Sequence, residues 1–424
     1  MSHTSKTRII LAMILLIGGP SFAQQMKRCS SMEYLKDQIQ KDPSIAEKIK
    51  DLRNLIANSQ ANQRLEQSNA NITIPVVVHV VYKTTAQKLS VARVQSQIDV
   101  LNEDYARLNA DRVNTPSGFL SIAADTKIRF CLAQRDPYGR PSTGITYDST
   151  TVATFIDDDK VKFHSLGGAD IWDRNQYLNI WVCNLGSSLL GYSQFPNGGQ
   201  PTTDGVVILY TAFGRPGTLT DYNLGRTTTH EVGHWFGLYH IWGDDGGACA
   251  GTAQGGDDAV ADTPDQADQT FGCPSGVVTD ACNNTANGIM YMNYMDYTND
   301  NCMNLFTQGQ TTAMTSILNA VRKTLKTSKG CTPAVTGMEE QAIALAAVQV
   351  FPNPTSETAT VDFGGEPIHE IALYDLLGKR IWMKQVTVGA PNETIDFSNL
   401  GDGLYTLQIN SADKQTHRKI VVKK

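Results

Sequence analysis

A chain of 424 residues exceeds one ordinary domain, so two or three are expected, and an apolar fraction of 41% is enough for a sizeable core. A formal net charge of -6 and a pI near 5.8 argue against a nucleic-acid partner. Beyond the N-terminus no run is long and apolar enough to cross a bilayer, so no membrane span is expected in the mature protein.

Residues 1–23 read as a secretory signal peptide. Lys6 and Arg8 give a positive start, residues 9–17 an apolar centre, and Ser21-Phe22-Ala23 a small-residue cleavage site. Export makes the eight cysteines candidates for disulfides. Residues 24–71 are polar, with helical spacing over 45–56, a break at Asp42-Pro43 and a capping box expected from Ser30 and Glu33. With so little apolar surface this segment must lean on another part of the chain, as a propeptide does.

Residues 74–81 form a β-branched run that reads as a buried strand, and His79 within it reads as a packed core histidine. Val91, Val94, Ile98 and Leu101 give one apolar helix face. Residues 128–133, 178–183 and 205–209 read as further strands. Strands alternating with a helix imply an α/β (α+β) unit with a mixed sheet. Cys131 and Cys183 both lie in strand-like runs, so pairing with each other and burial as thiols both stay open.

Residues 230–240 read HEVGHWFGLYH. His230 and His234 are four apart and share a helix face, and Glu231 sits beside them as a general base. Gly237 lets the helix stop through a positive φ, so that His240 supplies a third imidazole. Three imidazoles with one open position is a catalytic zinc arrangement. Peptide-bond hydrolysis follows: Glu231 takes the proton of a zinc-bound water as it attacks the carbonyl, then passes it to the leaving amine. The competing reading is a cell-surface adhesin with an inert metal site. The intact Glu231 and complete ligand set count against it.

Residues 243–288 are rich in Gly, Asp, Asn and Thr and cannot fold on their own burial. Cys249, Cys273, Cys282 and Cys302 cluster there and allow three pairings. Asp257, Asp258, Asp262, Asp265 and Thr263 offer hard oxygens suited to calcium, without EF-hand spacing. Residues 332–344 read as a linker. Residues 345–424 carry short strands punctuated by Gly and Pro, which indicates an all-β sandwich without cysteines.

The stretch around HEVGHWFGLYH, together with residues 293–307 (NYMDYTNDNCMNLFT), resembles the metzincin metallopeptidases, and among them the ulilysin-like type of the pappalysin family. The resemblance covers residues 72–331. It implies a metzincin catalytic domain with a twisted mixed sheet and a zinc helix, acting on proteins and peptides. It places Met295 beneath the metal as a packing support and makes Tyr297 the oxyanion partner. Asp300 falls in the S1′ pocket, where a carboxylate selects Arg or Lys after the cut. The strand holding Val207 becomes the sheet edge that binds extended peptide. The resemblance also favours Cys249–Cys282 and Cys273–Cys302 pairs, and calcium with Asp257, Asp262 and Thr263 among its ligands. Cys29, after Arg28, matches a cysteine that binds zinc in a latent zymogen, although Ser30 stands where the family has glycine. Autolysis before Arg53 or Arg64 would then release the propeptide. Residues 351–354 (FPNP), 374–379 (YDLLGK) and the basic end resemble C-terminal sorting domains of type IX secretion. That resemblance implies export through the periplasm of a Gram-negative bacterium, handling by the outer-membrane secretion machinery, and a secreted or outer-membrane-surface location.

Overall fold

The computed structural model describes residues 26–61, 70–186, 188–249, 258–334, 348–411 and 415–424. The chain divides into two compact units at residues 334 and 335. No described helix is long and apolar enough to cross a membrane.

The first unit is built on β1 (Ile72–Tyr82), whose residues 74–81 are all buried. Burial on both faces explains why this strand is continuously apolar rather than alternating. β2 (Ile128–Leu132) and β3 (Ile145–Ser149) pair parallel with its two halves, and β4 (Leu178–Cys183) pairs parallel with its middle. β6 (Val206–Leu209) follows β4 in parallel, and the short β5 (Gly191–Ser193) closes the sheet antiparallel to β6. The sheet order β2-β1-β4-β6-β5 therefore corrects the expectation for Val207. Its strand is interior, paired to Trp181 on one side and Tyr192 on the other, and its side chain is fully buried. The true edge is β5, only three residues long.

α3 (Val91–Tyr105) starts at Ser90, whose side chain accepts from Arg93 N, and it buries Val94, Ile98, Leu101 and Tyr105. α4 (Arg226–Trp235) and α5 (Gln308–Ala320) complete the core. His79 is buried as expected, bonded to Thr146 and Asn179 and stacked on Trp181.

α1 (Ser31–Lys41) and α2 (Ser44–Ala61) lie against this body, with Leu35 and Ile45 packed on Phe195 and Tyr239. The Ser30–Glu33 capping box does not form. Ser30 makes no side-chain cap bond, and Glu33 pairs with Lys27 at 3.4 Å.

Three disulfides are present: Cys249–Cys282, Cys273–Cys302 and Cys131–Cys331. Cys131 thus pairs with the end of the unit rather than with Cys183, which stays a buried thiol. Cys131 on β2 is drawn to residue 331 because Gln134 N donates to Gly330 O and Arg135 to Thr332 O.

The second unit has two antiparallel sheets, one of four strands and one of three. Val361, Phe363, Leu373, Phe397, Leu407 and Ile420 are among the residues of its common core.

Candidate active site

α4 carries the motif, and its end is shaped by backbone bonds. Gly237 has φ +89, Gly237 N donates to His234 O at 2.8 Å, and Leu238 N donates to Gly233 O at 3.0 Å. This 6→1 and 5→2 pair is a Schellman stop, which needs the left-handed residue that glycine supplies. The reversal returns Leu238 O to His234 Nδ1 at 2.7 Å. His230 Nδ1 meets Tyr294 O at 2.7 Å, and His240 Nδ1 meets Asp244 Oδ2 at 2.8 Å. With each Nδ1 donating to an acceptor, each ring turns a bare Nε2 lone pair inward. The three Nε2 atoms lie 3.1, 3.1 and 3.3 Å apart. Tetrahedral zinc with Zn–N near 2.0–2.1 Å requires nitrogens roughly 3.3 Å apart. Three acceptors converging in a buried spot need a cation between them, so the donor set fits zinc. Burial, then repulsion among the rings, drives His230 and His234 well below the ordinary histidine pKa, the neutral state that ligation requires.

Cys29 joins this group. The ligand atoms of Cys29, His230, His234 and His240 all lie within 4.8 Å of one another, the one such cluster among the described residues. Ser30 has φ -127, so the glycine of the family pattern is not needed for the turn here.

Glu231 is fully buried, and that burial pushes its carboxyl up to about 7 against the pull of the Ser31 hydroxyl. Ser31 Oγ donates to Glu231 Oε2 at 2.7 Å and accepts from Ser193 N at 2.8 Å. The backbone before Ser31 follows the sheet edge. Lys27 N donates to Ser188 O, Leu190 N to Lys27 O, and Ser30 N to Gly191 O. Residues 27–30 therefore run parallel to the segment leading into β5, from Leu189 to Gly191.

Met295 lies under α4. A Cβ added to Gly233 would sit 2.5 Å from Met295 Sδ, so any larger residue there must displace the methionine side chain. Tyr297 packs its ring 4.9 Å from His240 and 5.7 Å from His230, beside the imidazoles. Asp300 is buried at the start of α4. Its Oδ2 accepts from Leu224 N and Arg226 N, and its Oδ1 accepts from Arg28 Nη1 at 3.2 Å. The Arg28 guanidinium also lies over the Tyr222 ring at 4.8 Å and reaches Met303 Sδ at 3.2 Å.

Of the residues expected to bind calcium, Asp258 and Thr263 are in contact, at 2.9 Å. Asp262 accepts from Thr307 Oγ1 and Gly309 N at the start of α5. Asp257 lies outside the described residues. Sequence reasoning missed Asp244, Tyr222 and the seats of Arg28 and Ser31. Asp244, four residues after His240, was findable, since ligating imidazoles take a carboxylate or carbonyl on the other nitrogen.

A helix bearing two of three converging imidazoles, an adjacent glutamate and a methionine beneath defines a metallopeptidase of the metzincin kind. Comparison with known proteins narrows it. Residues 164–319 match the family described as "Pregnancy-associated plasma protein-A", a peptidase family, and residues 349–423 match "Secretion system C-terminal sorting domain". An extracellular metalloprotease of Pyricularia oryzae is 35% identical over 273 residues, 63% of this chain and 82% of that protein. One from Podospora anserina is 38% identical over 192 residues, 44% of this chain but only 62% of that protein. Among solved structures, a promirolysin mutant from Tannerella forsythia is 47% identical with TM-score 0.66, covering 73% of this chain and 99% of that one. Mature mirolysin of that organism, in complex with a cleaved peptide, is 54% identical with TM-score 0.59, covering 61% and 97%. The chain belongs to the pappalysin family of metallopeptidases, in its ulilysin/mirolysin branch, and carries a secretion sorting domain.

Proposed function

We propose that this chain is the latent precursor of a secreted zinc endopeptidase that cuts before Arg or Lys. The observation that carries the reading is the seating of two adjacent prosegment residues. Cys29 stands at the three imidazoles, and Arg28 stands on Asp300, as a basic P1′ residue would. A buried guanidinium–carboxylate pair tolerates no apolar substitute, because removing one partner strands the other charge.

His230, His234 and His240 would hold zinc, with Cys29 as the fourth ligand in the latent form. Zinc supplies Lewis acidity to the site, polarising a carbonyl oxygen and acidifying water. Once the prosegment leaves, the β5 edge binds substrate as an added strand. Glu231 accepts the proton of the attacking water and hands it to the leaving amine. The Tyr297 hydroxyl steadies the developing oxyanion. Met295 keeps the imidazoles in place by packing.

In this scheme residues 1–23 are the signal peptide, 24–71 the propeptide, 72–331 the catalytic domain, 332–344 the linker and 345–424 the type IX sorting domain. Arg53 sits within α2 over the Tyr239 ring, an unsuitable conformation for cleavage without unwinding. Arg64 lies outside the described residues. The test is release of a P1′-basic peptide by the processed protein, abolished by a chelator and restored by zinc. Chelator-insensitive cleavage would refute the reading.

A further inference from the structure

α1 makes a second buried polar contact away from the imidazoles. Tyr34 is 2% exposed, and its Oη donates to Asp159 Oδ2 at 2.7 Å and lies 3.1 Å from Gln194 Oε1. Its ring packs on Tyr192, with centroids 5.3 Å apart. Lys162, fully buried, lies 2.7 Å from Asp159 Oδ1 in an ionic rather than a directed contact, and donates to Thr203 O at 2.7 Å. Lys162 Nζ is also 5.1 Å from the Tyr34 ring centroid and 5.0 Å from that of Tyr192. Asp159, Lys162, Tyr192, Gln194 and Thr203 all lie outside the segment that carries Tyr34. The buried Tyr192 Oη beside it has no hydrogen-bond partner.

The seat is positioned along the peptide-binding edge. A Cβ on Gly191 would lie 3.0 Å from Glu231 Cγ, so Gly191 faces the catalytic glutamate. Tyr192, the next residue of β5, faces the other way. The prosegment meets the enzyme in order: Arg28 at Asp300, Cys29 at the imidazoles, Ser31 at Glu231, Tyr34 at Asp159. If Asp300 receives the residue after the cut, the Asp159 seat lies on the opposite, amino-terminal side. A peptide extended on β5 turns alternate side chains toward the face of Tyr192.

We propose that in the mature enzyme this seat is a nonprimed subsite for a tyrosine side chain of the substrate, with Asp159 as its specificity-determining residue. The proposal rests on the Asp300 reading, which fixes the direction of the substrate. The chemistry selects a phenol. Asp159 and Gln194 both present acceptors to one hydroxyl, and Lys162 stands near the ring face, where an aromatic is favoured over an aliphatic side chain. Phenylalanine would fill the space but leave the carboxylate without its donor.

The test uses the processed enzyme and a peptide series with Arg fixed at P1′ and Tyr, Phe or Leu placed in turn at P2, P3 and P4. At one of these positions Tyr should exceed Phe and Leu by about ten-fold or more in kcat/KM, the scale of one hydrogen bond to a charged group. Asp159→Asn should shrink that ratio while cleavage before Arg persists. Independently of that variant's folding, a synthetic peptide of residues 26–41 should inhibit the enzyme about ten-fold better than its Tyr34→Phe version. Equal rates for Tyr and Phe at all three positions overturn the subsite and leave the P1′ reading standing. A weaker Tyr34→Phe inhibitor with indifferent substrates also overturns it, since the seat then serves only the prosegment. Failure to cut before Arg in any peptide overturns both.

Discussion

Glu231 Oε2 accepts from the Ser31 hydroxyl at 2.7 Å, and the Cys29 thiol also bears on the carboxylate. Glu231→Gln keeps the shape and removes the base. It is expected to lower kcat by about 10²–10⁴-fold, the usual worth of general acid–base catalysis, with zinc content by elemental analysis unchanged. Undiminished turnover would exclude the role. Cys29→Ala should remove the fourth ligand and so weaken the hold that keeps Arg28 on Asp300. Purified precursor carrying it is expected to cut a P1′-basic peptide before any processing, whereas the unaltered precursor stays silent; equal latency would mean that the thiol does not hold the zymogen. These ligand residues were legible in the sequence because helical spacing and metal chemistry are local. The seat of Arg28 was not, because it depends on the path of the prosegment across the edge, which no local pattern encodes. Ser30 looked like a defect in the family pattern, yet its φ of -127 makes glycine unnecessary.

α4 is held from both ends. At its start Arg226 pairs with Asp111 and Asp104, and Asp104 also accepts from Thr229 at 2.8 Å and from Tyr294 at 2.8 Å. One buried carboxylate on α3 thus ties the zinc helix to the segment carrying Met295 and the carbonyl that orients His230. At mid-helix Gly233 carries the argument further. Intrinsic propensity alone favours alanine there by about 1 kcal/mol. The contact at 2.5 Å with buried Met295 Sδ opposes it, and overpacking costs about 1–3 kcal/mol. We therefore expect Gly233→Ala to destabilise the catalytic unit and weaken zinc binding, read by thermal melting and by chelator competition. Met295→Ala in the same chain should relieve part of the loss. A stabilised single variant would show that Met295 moves freely and supports nothing. At this scale the core strands and α3 were readable from β-branched runs and helical spacing. The edge was not. β5 has three residues, one of them glycine, too few for an alternating pattern, and the edge role that the resemblance gives to the strand of Val207 belongs to it.

Across the whole molecule, the loop-rich segment after α4 is fastened by two disulfides, and β2 is fastened to the end of the catalytic unit by Cys131–Cys331, 200 residues apart in sequence. That pairing joins β2 to the last described turn of the unit, and only the tertiary path brings the two together. Closing so long a loop is worth roughly 2–5 kcal/mol. The Cys131→Ser, Cys331→Ser double variant should melt roughly 5–15 °C lower, with cleavage specificity unaltered at low temperature. An unchanged melting temperature would show that the bond adds nothing to the fold. Arg28 sits on Asp300 where the proposed specificity would put a basic P1′ side chain. The direct measurement is kcat/KM of the processed enzyme on peptides differing only at P1′, as Arg, Lys and Leu, with Asp300→Asn alongside. Arg and Lys are expected far above Leu, with the preference lost in Asp300→Asn and no cleavage in a chelator. A preference for Leu, or a basic preference that survives Asp300→Asn, would contradict the proposed specificity.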